Sequence, residues 1–465
     1  MENNRKPIFL SFFLISAVII LSLCLIIFLG AMISWLPGQV AEAFPTQAPT
    51  PFPVAELPQP ANDSGSNIPL SLREEMERIQ VQVIQERGLL PKEEIVRDFL
   101  TPEELRQNVE TDFFDSYTRE DAETDRKAMV ALGWIDAQEN LLALYQDLYA
   151  EQIAGYYDNE EKAMYVIRGG DFGPTEKMTY AHEYTHALQD QVFNIKNGLH
   201  YGDEECAGQD QRCEALQALI EGDASLSEYR WQADQFGNSD YENWLSVMME
   251  MESPVFDQIP AYFQQSLMFP YQYGLNFVNI IYDQSGWDGV NAVYQNPPVS
   301  AEQILHPSLY PDHLPVTVQI PDVTAVLPGN MQLLDEGELG EWDLSLVLSA
   351  GVDYAYQLSP LVASEATRGW GGDHYQMFGD PQDTDVVWIA CQAWDTEKDA
   401  VEFFDAFSQY GDLRWGYGTT EKDAQQATWT AGAIIHTILR SADRTCWVDT
   451  SKQSLHDKLI PLVME

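Results

Sequence analysis

Apolar residues recur every three or four positions over much of the chain, which is the spacing of a helix that buries one face. The first such stretch covers residues 71–87. Others cover residues 101–108, 136–150 and 214–231, and the spacing continues to about residue 294. A capping-box sequence at residues 300–303 opens one more helix, which Pro307 ends. The pattern predicts a mainly helical domain over residues 71–312.

One part of this region is β-prone instead. Residues 153–157 and 164–167 are short runs of strand-forming residues joined by turn-forming ones, which predicts a hairpin. Directly after it, apolar residues from Met178 to Val192 predict a helix that Thr175 can cap. The helical domain is therefore expected to carry a small sheet beside this helix.

After Pro311 the helical spacing of apolar residues gives way to short β-prone runs with proline and glycine. Strands are predicted at residues 386–394, 434–440 and 445–449, with a helix over residues 396–410. This mixture predicts a smaller α+β domain over residues 313–465, and the fold class of the whole chain is α+β. Within it, residues 369–373 (Gly-Trp-Gly-Gly-Asp) are interpreted as a tight turn, with a ligand-binding loop as the alternative.

The N-terminus carries an apolar run that is long enough to cross a membrane. Residues 8–36 contain no charged residue and exceed the roughly 20 residues that a bilayer requires. Arg5 and Lys6 precede the run and no basic residue follows until Arg73, so the N-terminus is expected in the cytoplasm and the remainder outside a cell membrane.

Residues 1–36 are thus interpreted as a cytoplasmic tip and a single transmembrane signal anchor. Residues 37–70, rich in proline, form a spacer. A cleavable signal peptide ending near Ala43 is the alternative.

The charge excludes one class of partner. With 73 acidic and 25 basic residues, the formal net charge of −48 would repel nucleic acid. Such a surface keeps an exposed protein soluble. Attraction of cationic peptides or calcium is a second interpretation.

Five cysteines fit a location outside the cytoplasm. Cys24 lies in the apolar run, which leaves four that can pair. Cys206 with Cys213 and Cys391 with Cys446 is the economical pairing, although four cysteines allow three connectivities.

Residues 182–186 read His-Glu-Tyr-Thr-His, the H-E-x-x-H spacing. Histidines four residues apart on a helix share one face, so His182 and His186 can bind one ion. Glu183 lies about 100° round the helix, close enough to act on water at that ion. Zn²⁺ suits two imidazoles and a carboxylate, and a catalytic site leaves the fourth position open.

The third ligand is expected to be Glu221. It stands among apolar residues, where a carboxylate is costly without a partner. Gly222 beside it lowers helix propensity and indicates that another helix approaches closely. An ordinary solvated carboxylate is the alternative. We therefore predict one catalytic Zn²⁺ held by His182, His186 and Glu221.

The sequences HEYTHALQDQ and ALIEGDA resemble the gluzincins, the thermolysin-like zinc peptidases, and more closely a group of uncharacterised bacterial gluzincin-like proteins. The resemblance covers residues 151–310. It implies a zincin-like catalytic domain at residues 71–312 and a peptide or protein substrate lying along residues 164–167 as the edge strand of the sheet. In that family an acid follows the glutamate ligand by four residues. This chain has Ser225 there, so Asp190 and Asp223 are the candidates for supporting the histidines.

The site and the resemblance together imply hydrolysis of peptide bonds by water that zinc activates, with Glu183 as general base. A further donor would stabilise the oxyanion. His306 and Tyr310 are candidates for it, although a structural role for the histidine fits equally well.

Two other functions stay open. One is a surface binding or scaffold protein with structural zinc, although structural zinc needs no general base such as Glu183. The other is a zinc hydrolase of acyl substrates other than peptides. The sequence gives no indication of the oligomeric state.

Overall fold

The structure is a computed structural model that describes residues 69–463 apart from 102, 105–106, 108–116, 153–154, 159–160, 168–171, 251–252, 382–384 and 417–420. The predicted transmembrane segment at residues 8–36 and nearly all of the spacer lie outside the described residues. Among the residues that are described, no helix has the length and apolar character needed to cross a membrane.

The chain has an α+β fold with two separate sheets. The first part is mainly helical, as the apolar spacing predicts. Its helices are α1 (Leu70–Arg87), α2 (Arg119–Leu132), α3 (Leu141–Gln152), α4 (Pro174–Phe193), α5 (Ile195–Gly198), α6 (Asp203–Cys206), α7 (Asp210–Gln235), α8 (Asn238–Glu250), α9 (Ala261–Phe269), α10 (Leu275–Val293) and α11 (Ala301–Leu305), with a π-helical turn at Pro270–Gly274.

The small sheet of this part has the strand order β1–β3–β2, with strands β1 (Val96–Leu100), β2 (Gly155–Asp158) and β3 (Ala163–Ile167). β2 and β3 form the predicted antiparallel hairpin. β1 pairs in parallel with the other side of β3. The expectation that residues 164–167 form the sheet edge is therefore wrong, because β3 lies between β1 and β2, and those two strands are the edges.

Helix α4 is the centre of the helical part. It packs against α1, α7, α8 and the hairpin, so its middle turns are buried on every side, including their polar residues. It begins after Gly173, with Pro174 at the first helical position, and Glu176 accepts a hydrogen bond from the Gly173 N–H. Glu176 thus does the capping expected of Thr175.

The second part is built on a seven-stranded antiparallel sheet in the order β4–β5–β6–β10–β9–β8–β7. Three of its strands and its long helix confirm the predicted elements. The strands are β4 (Gln332–Gly337), β5 (Trp370–Gly379), β6 (Val386–Trp394), β7 (Glu421–Lys422), β8 (Gln426–Ala431), β9 (Ile434–Ser441) and β10 (Arg444–Thr450), and the helices are α12 (Gly340–Ser349), α13 (Pro360–Thr367), α14 (Glu397–Trp415) and α15 (Gln453–Val463), with a 3-10 turn at Tyr354–Tyr356.

Residues 369–373 form neither the tight turn nor the ligand loop that was expected. Gly369 ends a turn that follows α13, and residues 370–373 open strand β5, with a register shift against β6 between Trp370 and Gly372. Asp373 accepts hydrogen bonds from the backbone N–H groups of Leu339 and Gly340, where α12 begins. The glycines therefore serve a bulged strand start whose aspartate satisfies a helix N-terminus.

Both expected disulfides are present. Cys206 pairs with Cys213 just before and within the first turn of α7. Cys391 pairs with Cys446, and these two residues are direct neighbours across β6 and β10. The economical pairing is confirmed, because each bridge joins residues that the local structure already brings together.

The largest hydrophobic cluster among the described residues runs through both parts of the chain, with smaller clusters around α4 and beside the large sheet. It extends from Leu132 and Trp134 to Trp388 and Trp447. At its rim, Arg414 of α14 donates hydrogen bonds to two carbonyl groups at the end of α2. The division between residues 312 and 313 stays a prediction, and the packing is continuous across it.

Several carboxyl groups lie inside this core, between α7 and the large sheet. Asp210, Asp343 and Asp373 are almost fully buried. Burial raises the pKa of Asp373 to about 6 and holds the pKa values of Asp210 and Asp343 well above their usual range. The folded protein therefore binds these protons more tightly than the unfolded chain does.

We expect the metal-free protein to be most stable in mildly acidic solution. Because the folded pKa values are raised, their stabilising contribution is complete below about pH 4 and is lost as the pH rises through 6 and above. The free energy of unfolding, measured by chemical denaturation in the presence of a metal chelator, should fall by roughly 2–4 kcal/mol between pH 5.5 and 8.5. Asp343→Asn should flatten this dependence, whereas Asp312→Asn, at an exposed aspartate, should not. If the free energy of unfolding depended on pH equally in the two variants, Asp343 would not be a source of the pH dependence.

Candidate metal centre

Helices α4 and α7 bring three predicted ligands to one point. His182 and His186 lie one turn apart on α4, and Glu221 faces them from α7. The two Nε2 atoms are 3.1 Å apart, and each lies 3.3 Å from Oε2 of Glu221. All three side chains are buried. The sequence prediction that these residues converge is therefore met by the geometry.

The spacing of these three atoms fits a tetrahedral zinc ion. Zinc binds imidazole nitrogen and carboxylate oxygen at about 2.0–2.2 Å, and tetrahedral angles then separate neighbouring ligand atoms by roughly 3.3–3.5 Å. The observed separations of 3.1–3.3 Å are close to that range. Three side chains would hold the ion, and one tetrahedral position is left for water or substrate.

The outer nitrogen of each histidine faces an acceptor. Nδ1 of His182 lies 3.0 Å from Oε2 of Glu228. Nδ1 of His186 lies 2.9 Å from Oε1 of Gln189, whose amide nitrogen donates elsewhere. Each Nδ1 therefore carries hydrogen, and in the neutral ring each Nε2 presents a lone pair. Two lone pairs and a carboxylate that converge without a donor between them form a site for a cation.

The electrostatics agree with this need for positive charge. Although burial opposes it, hydrogen bonds to Glu221 and Glu228 raise the pKa of His182 to about 10. Burial would also raise the pKa of Glu221, but the two histidines lower it to about 2. The carboxylate is thus ionised, and the pocket favours either a proton or a metal ion at the same point.

Glu183 is placed beside the centre and not in it. Its Oε2 accepts a hydrogen bond of 2.9 Å from the backbone N–H of Tyr157 on β2, and its Oε1 is buried with no hydrogen-bond partner among the described residues. Burial raises the pKa of Glu183 to about 7, the histidines opposing this in part. A carboxylate so oriented, with one unused oxygen, can accept a proton.

Gly222 lets the π-helical turn approach the back of the metal centre. A Cβ atom on Gly222 would lie 2.2 Å from the carbonyl carbon of Gly274. Gly274 in turn lies against the carbonyl of Ala218, one turn before. The close approach predicted beside Glu221 is confirmed, and it fixes the face of α7 that carries this ligand.

Gly222→Ala is expected to destabilise the protein by about 1–3 kcal/mol or more, because the added methyl group would overlap backbone atoms that cannot move aside as a side chain can. Chemical denaturation measures the change. Gly329→Ala is the matched control, since its Cβ would meet open space. A Gly222→Ala protein as stable as this control would show that the contact between α7 and the π-helical turn is looser than described.

The two candidates for supporting the histidines have different places. Asp223 reaches His186 only through Gln189, whose amide nitrogen donates to Oδ2 of Asp223 at 2.9 Å. Asp190 instead accepts hydrogen bonds from the Tyr157 hydroxyl and Lys162. It joins the hairpin to α4, and among the described residues it makes no hydrogen bond to either histidine.

The candidates for the oxyanion donor are engaged elsewhere. Nε2 of His306 lies 2.9 Å from Oε1 of Glu341, and the Tyr310 hydroxyl donates to the carbonyl of Asn296 at 2.7 Å. The structure describes no contact between either residue and the metal centre. Tyr271 of the π-helical turn is nearer, since its ring centroid lies 6.5 Å from that of His182.

Glu228 and Gln189 were missed by reasoning from the sequence. Glu228 follows Glu221 by seven residues, which is two helical turns, so both carboxylates lie on the same face of α7. Gln189 follows His186 by three residues on α4. Helical periodicity could have placed both near the centre, but the resemblance directed the search to the fourth residue after Glu221.

A second cluster, of Glu302, His313 and Asp395, is built differently. Nδ1 of His313 lies 2.9 Å from Glu302, and its Nε2 lies 3.1 Å from Asp395. One ion binds only one nitrogen of a ring, so these contacts are those of an imidazolium between two carboxylates. Among the described residues, the compact three-ligand geometry belongs to the first centre.

Comparison with known proteins adds little to this picture. Residues 331–457 match a family described as "Domain of unknown function (DUF8575)", which lies in the second part of the chain and does not include the metal centre. No curated protein matches the chain. One similar crystal structure, from Chloroflexus aurantiacus, is described as "a putative hydrolase with a novel fold". It is 18% identical, the match covers 52% of this chain and 90% of that one, and the TM-score is 0.34. At that TM-score the similarity carries no argument about function.

Proposed function

We propose that this chain is a zinc-dependent peptidase, a hydrolase of the gluzincin type that its sequence motifs resemble. The observation that carries the proposal is the convergence of two imidazole lone pairs and one carboxylate at 3.1–3.3 Å, with Glu183 beside them. A structural zinc site would close all four positions and would need no such carboxylate at its side.

In the proposed reaction the ligands and the base have separate roles. His182, His186 and Glu221 would hold the ion. Zinc, when bound, supplies a Lewis acid that polarises a carbonyl group and lowers the pKa of water. Glu183 accepts the proton of the attacking water at its unused Oε1 and later delivers it to the leaving amine. The Tyr157 N–H holds the other oxygen of Glu183 and so fixes its direction.

The surroundings of Glu183 favour a peptide over other acyl substrates. Strand β2 is one of the two edges of the small sheet. At Tyr157 this edge lies beside Glu183, which accepts a hydrogen bond from the Tyr157 N–H and leaves the other outward backbone groups of β2 for a substrate. An extended polypeptide can add to such an edge through backbone hydrogen bonds. This edge takes the substrate-binding role that the resemblance gives to residues 164–167.

The proposal includes a location outside the cytoplasm, with residues 8–36 as a membrane anchor. The apolar run and the basic residues before it support this topology. Two disulfides fit an oxidising compartment. The spacer at residues 37–70 would hold the enzyme off the membrane.

Metal analysis and metal exchange test the function directly. The full chain, purified in detergent, should contain about one zinc per chain and should cleave an unfolded protein. A chelator should abolish cleavage, and zinc should restore it. Ester substrates offered in parallel separate a peptidase from a general acyl hydrolase. A metal-free protein, or one that cleaves only esters, would reject the proposal.

A further inference from the structure

Arg87, in the last turn of α1, is a fully buried arginine far along the chain from the H-E-x-x-H motif. Its guanidinium makes two parallel hydrogen bonds to Asp223, of 2.6 and 2.9 Å, and lies 4.4 Å from the centre of the Trp287 ring. Buried ion pairs are costly to desolvate and persist only with close geometry and further hydrogen bonds. The geometry is close, Asp223 accepts further hydrogen bonds, and neither side chain is exposed to solvent. Nη1 of Arg87 has no hydrogen-bond partner among the described residues.

Asp223 is the branching point of these contacts. Besides Arg87, it accepts hydrogen bonds from the Gln189 amide at 2.9 Å and from the Tyr294 hydroxyl at 2.8 Å. It follows the metal ligand Glu221 by two residues on α7. The carboxylate therefore connects α1, α4 and the residue that caps α10.

The position of Asp223 decides which way the Gln189 amide faces. Only the NH₂ end of an amide can face a carboxylate and the carbonyl of Ile220, to which it also donates at 3.0 Å. The carbonyl end must then face Nδ1 of His186, at 2.9 Å. This acceptor keeps hydrogen on Nδ1 and leaves the lone pair of Nε2 directed at Glu221 and His182.

We propose that Arg87, Asp223 and Gln189 form a positioning chain that fixes the ring and tautomer of His186, so that helix α1 contributes to the metal affinity of the site. The inference rests on the proposed function in that it requires the site to bind zinc. The two histidines are supported in different ways: His182 meets the carboxylate of Glu228 directly, whereas His186 meets a neutral amide that depends on two further residues.

The test measures zinc affinity by competition with a chelator, at one pH, in the full chain. Gln189→Met keeps the length of the side chain but offers Nδ1 only a weakly accepting sulfur, and zinc should bind about 10–100-fold more weakly. Arg87→Lys keeps the charge but loses the paired hydrogen bonds, and it should weaken zinc binding in the same direction by a smaller factor. Gln392→Met is the matched control, at a glutamine of β6 that is also buried and whose amide nitrogen makes no hydrogen bond to a described residue. It too removes a buried acceptor, the one that the Thr445 hydroxyl uses, but in the second part of the chain.

Cobalt in place of zinc gives a readout that a general loss of stability does not move. The visible absorption of bound Co²⁺ reports ligand geometry, so it should shift in Gln189→Met and stay unchanged in Gln392→Met. If Arg87→Lys does not fold, Gln189→Met decides alone. Unchanged affinity and an unchanged cobalt spectrum in Gln189→Met would overturn the positioning chain while leaving the peptidase intact. If the protein without substitutions bound no zinc, both the positioning chain and the proposed peptidase function would be overturned.

Discussion

Replacing Glu183 with glutamine is expected to lower peptide hydrolysis by about 10²–10⁴-fold while the zinc content stays that of the unchanged protein. Glutamine has nearly the same shape, and its carbonyl can still accept the hydrogen bond from the Tyr157 N–H. It cannot accept a proton. Because Glu183 lies beside the three ligand atoms, its loss should remove catalysis and keep the metal. Steady-state kcat/KM and elemental analysis measure the two quantities on one preparation.

Glu176→Gln is the matched control for this result. Glu176 lies on the same helix, where its carboxylate accepts a hydrogen bond from the Gly173 N–H, and glutamine can do the same. Its hydrolysis should stay near that of the unchanged protein. Full activity in Glu183→Gln would reject Glu183 as the base. Loss of zinc together with activity would show that Glu183 holds the ion and would contradict the division of roles proposed above.

Local pattern was sufficient to predict the helices that bring the three candidate metal ligands together. The spacing of His182 and His186 requires a helix to have any meaning, and the apolar residues around them supplied one. Glu221 was identified because a carboxylate in an apolar stretch needs a partner, and Gly222 because a helical glycine marks a close approach. Both inferences use only the cost of a residue at its own position, which the sequence contains.

Contacts between segments far apart in the chain could not be predicted from local pattern. Nothing in residues 96–100 shows that they would pair with residues 163–167 and turn an expected edge strand into a central one. Arg87 meets Asp223 across 136 positions of sequence, and neither residue carries a local signal for the other. Such contacts depend on how strands pair and how helices pack together. The periodicity of a single sequence does not show either arrangement.

Two of the weaker candidates, which position along a helix suggests, lie among other partners in the structure. Asp190 was chosen for its distance from His186 along α4, yet it binds Tyr157 and Lys162 of the hairpin. His306 was chosen because a helix ends there, yet it pairs with Glu341. In each case the polar residue makes its hydrogen bonds to residues other than the proposed metal ligands, since buried donors and acceptors are generally satisfied within the fold.

The sharpest test of the ligand set compares two carboxylates that face the same histidine. Glu221 and Glu228 both lie on α7 and are almost equally buried. Glu221 faces Nε2 of His182 at 3.3 Å, whereas Glu228 faces Nδ1 at 3.0 Å. Only the first also faces His186. Glu221→Gln and Glu228→Gln therefore make the same chemical change on opposite sides of one ring.

Glu221→Gln should weaken zinc binding by more than about 100-fold, because a neutral amide replaces a charged ligand. Glu228→Gln should weaken it by about 10–100-fold, since its carbonyl still accepts from Nδ1 and only the charge is lost. Chelator competition on both folded proteins gives the order. The reverse order would put the ion on the Nδ1 side of His182, where His186 cannot reach it, and the pairing of two imidazoles on one metal would then be untenable.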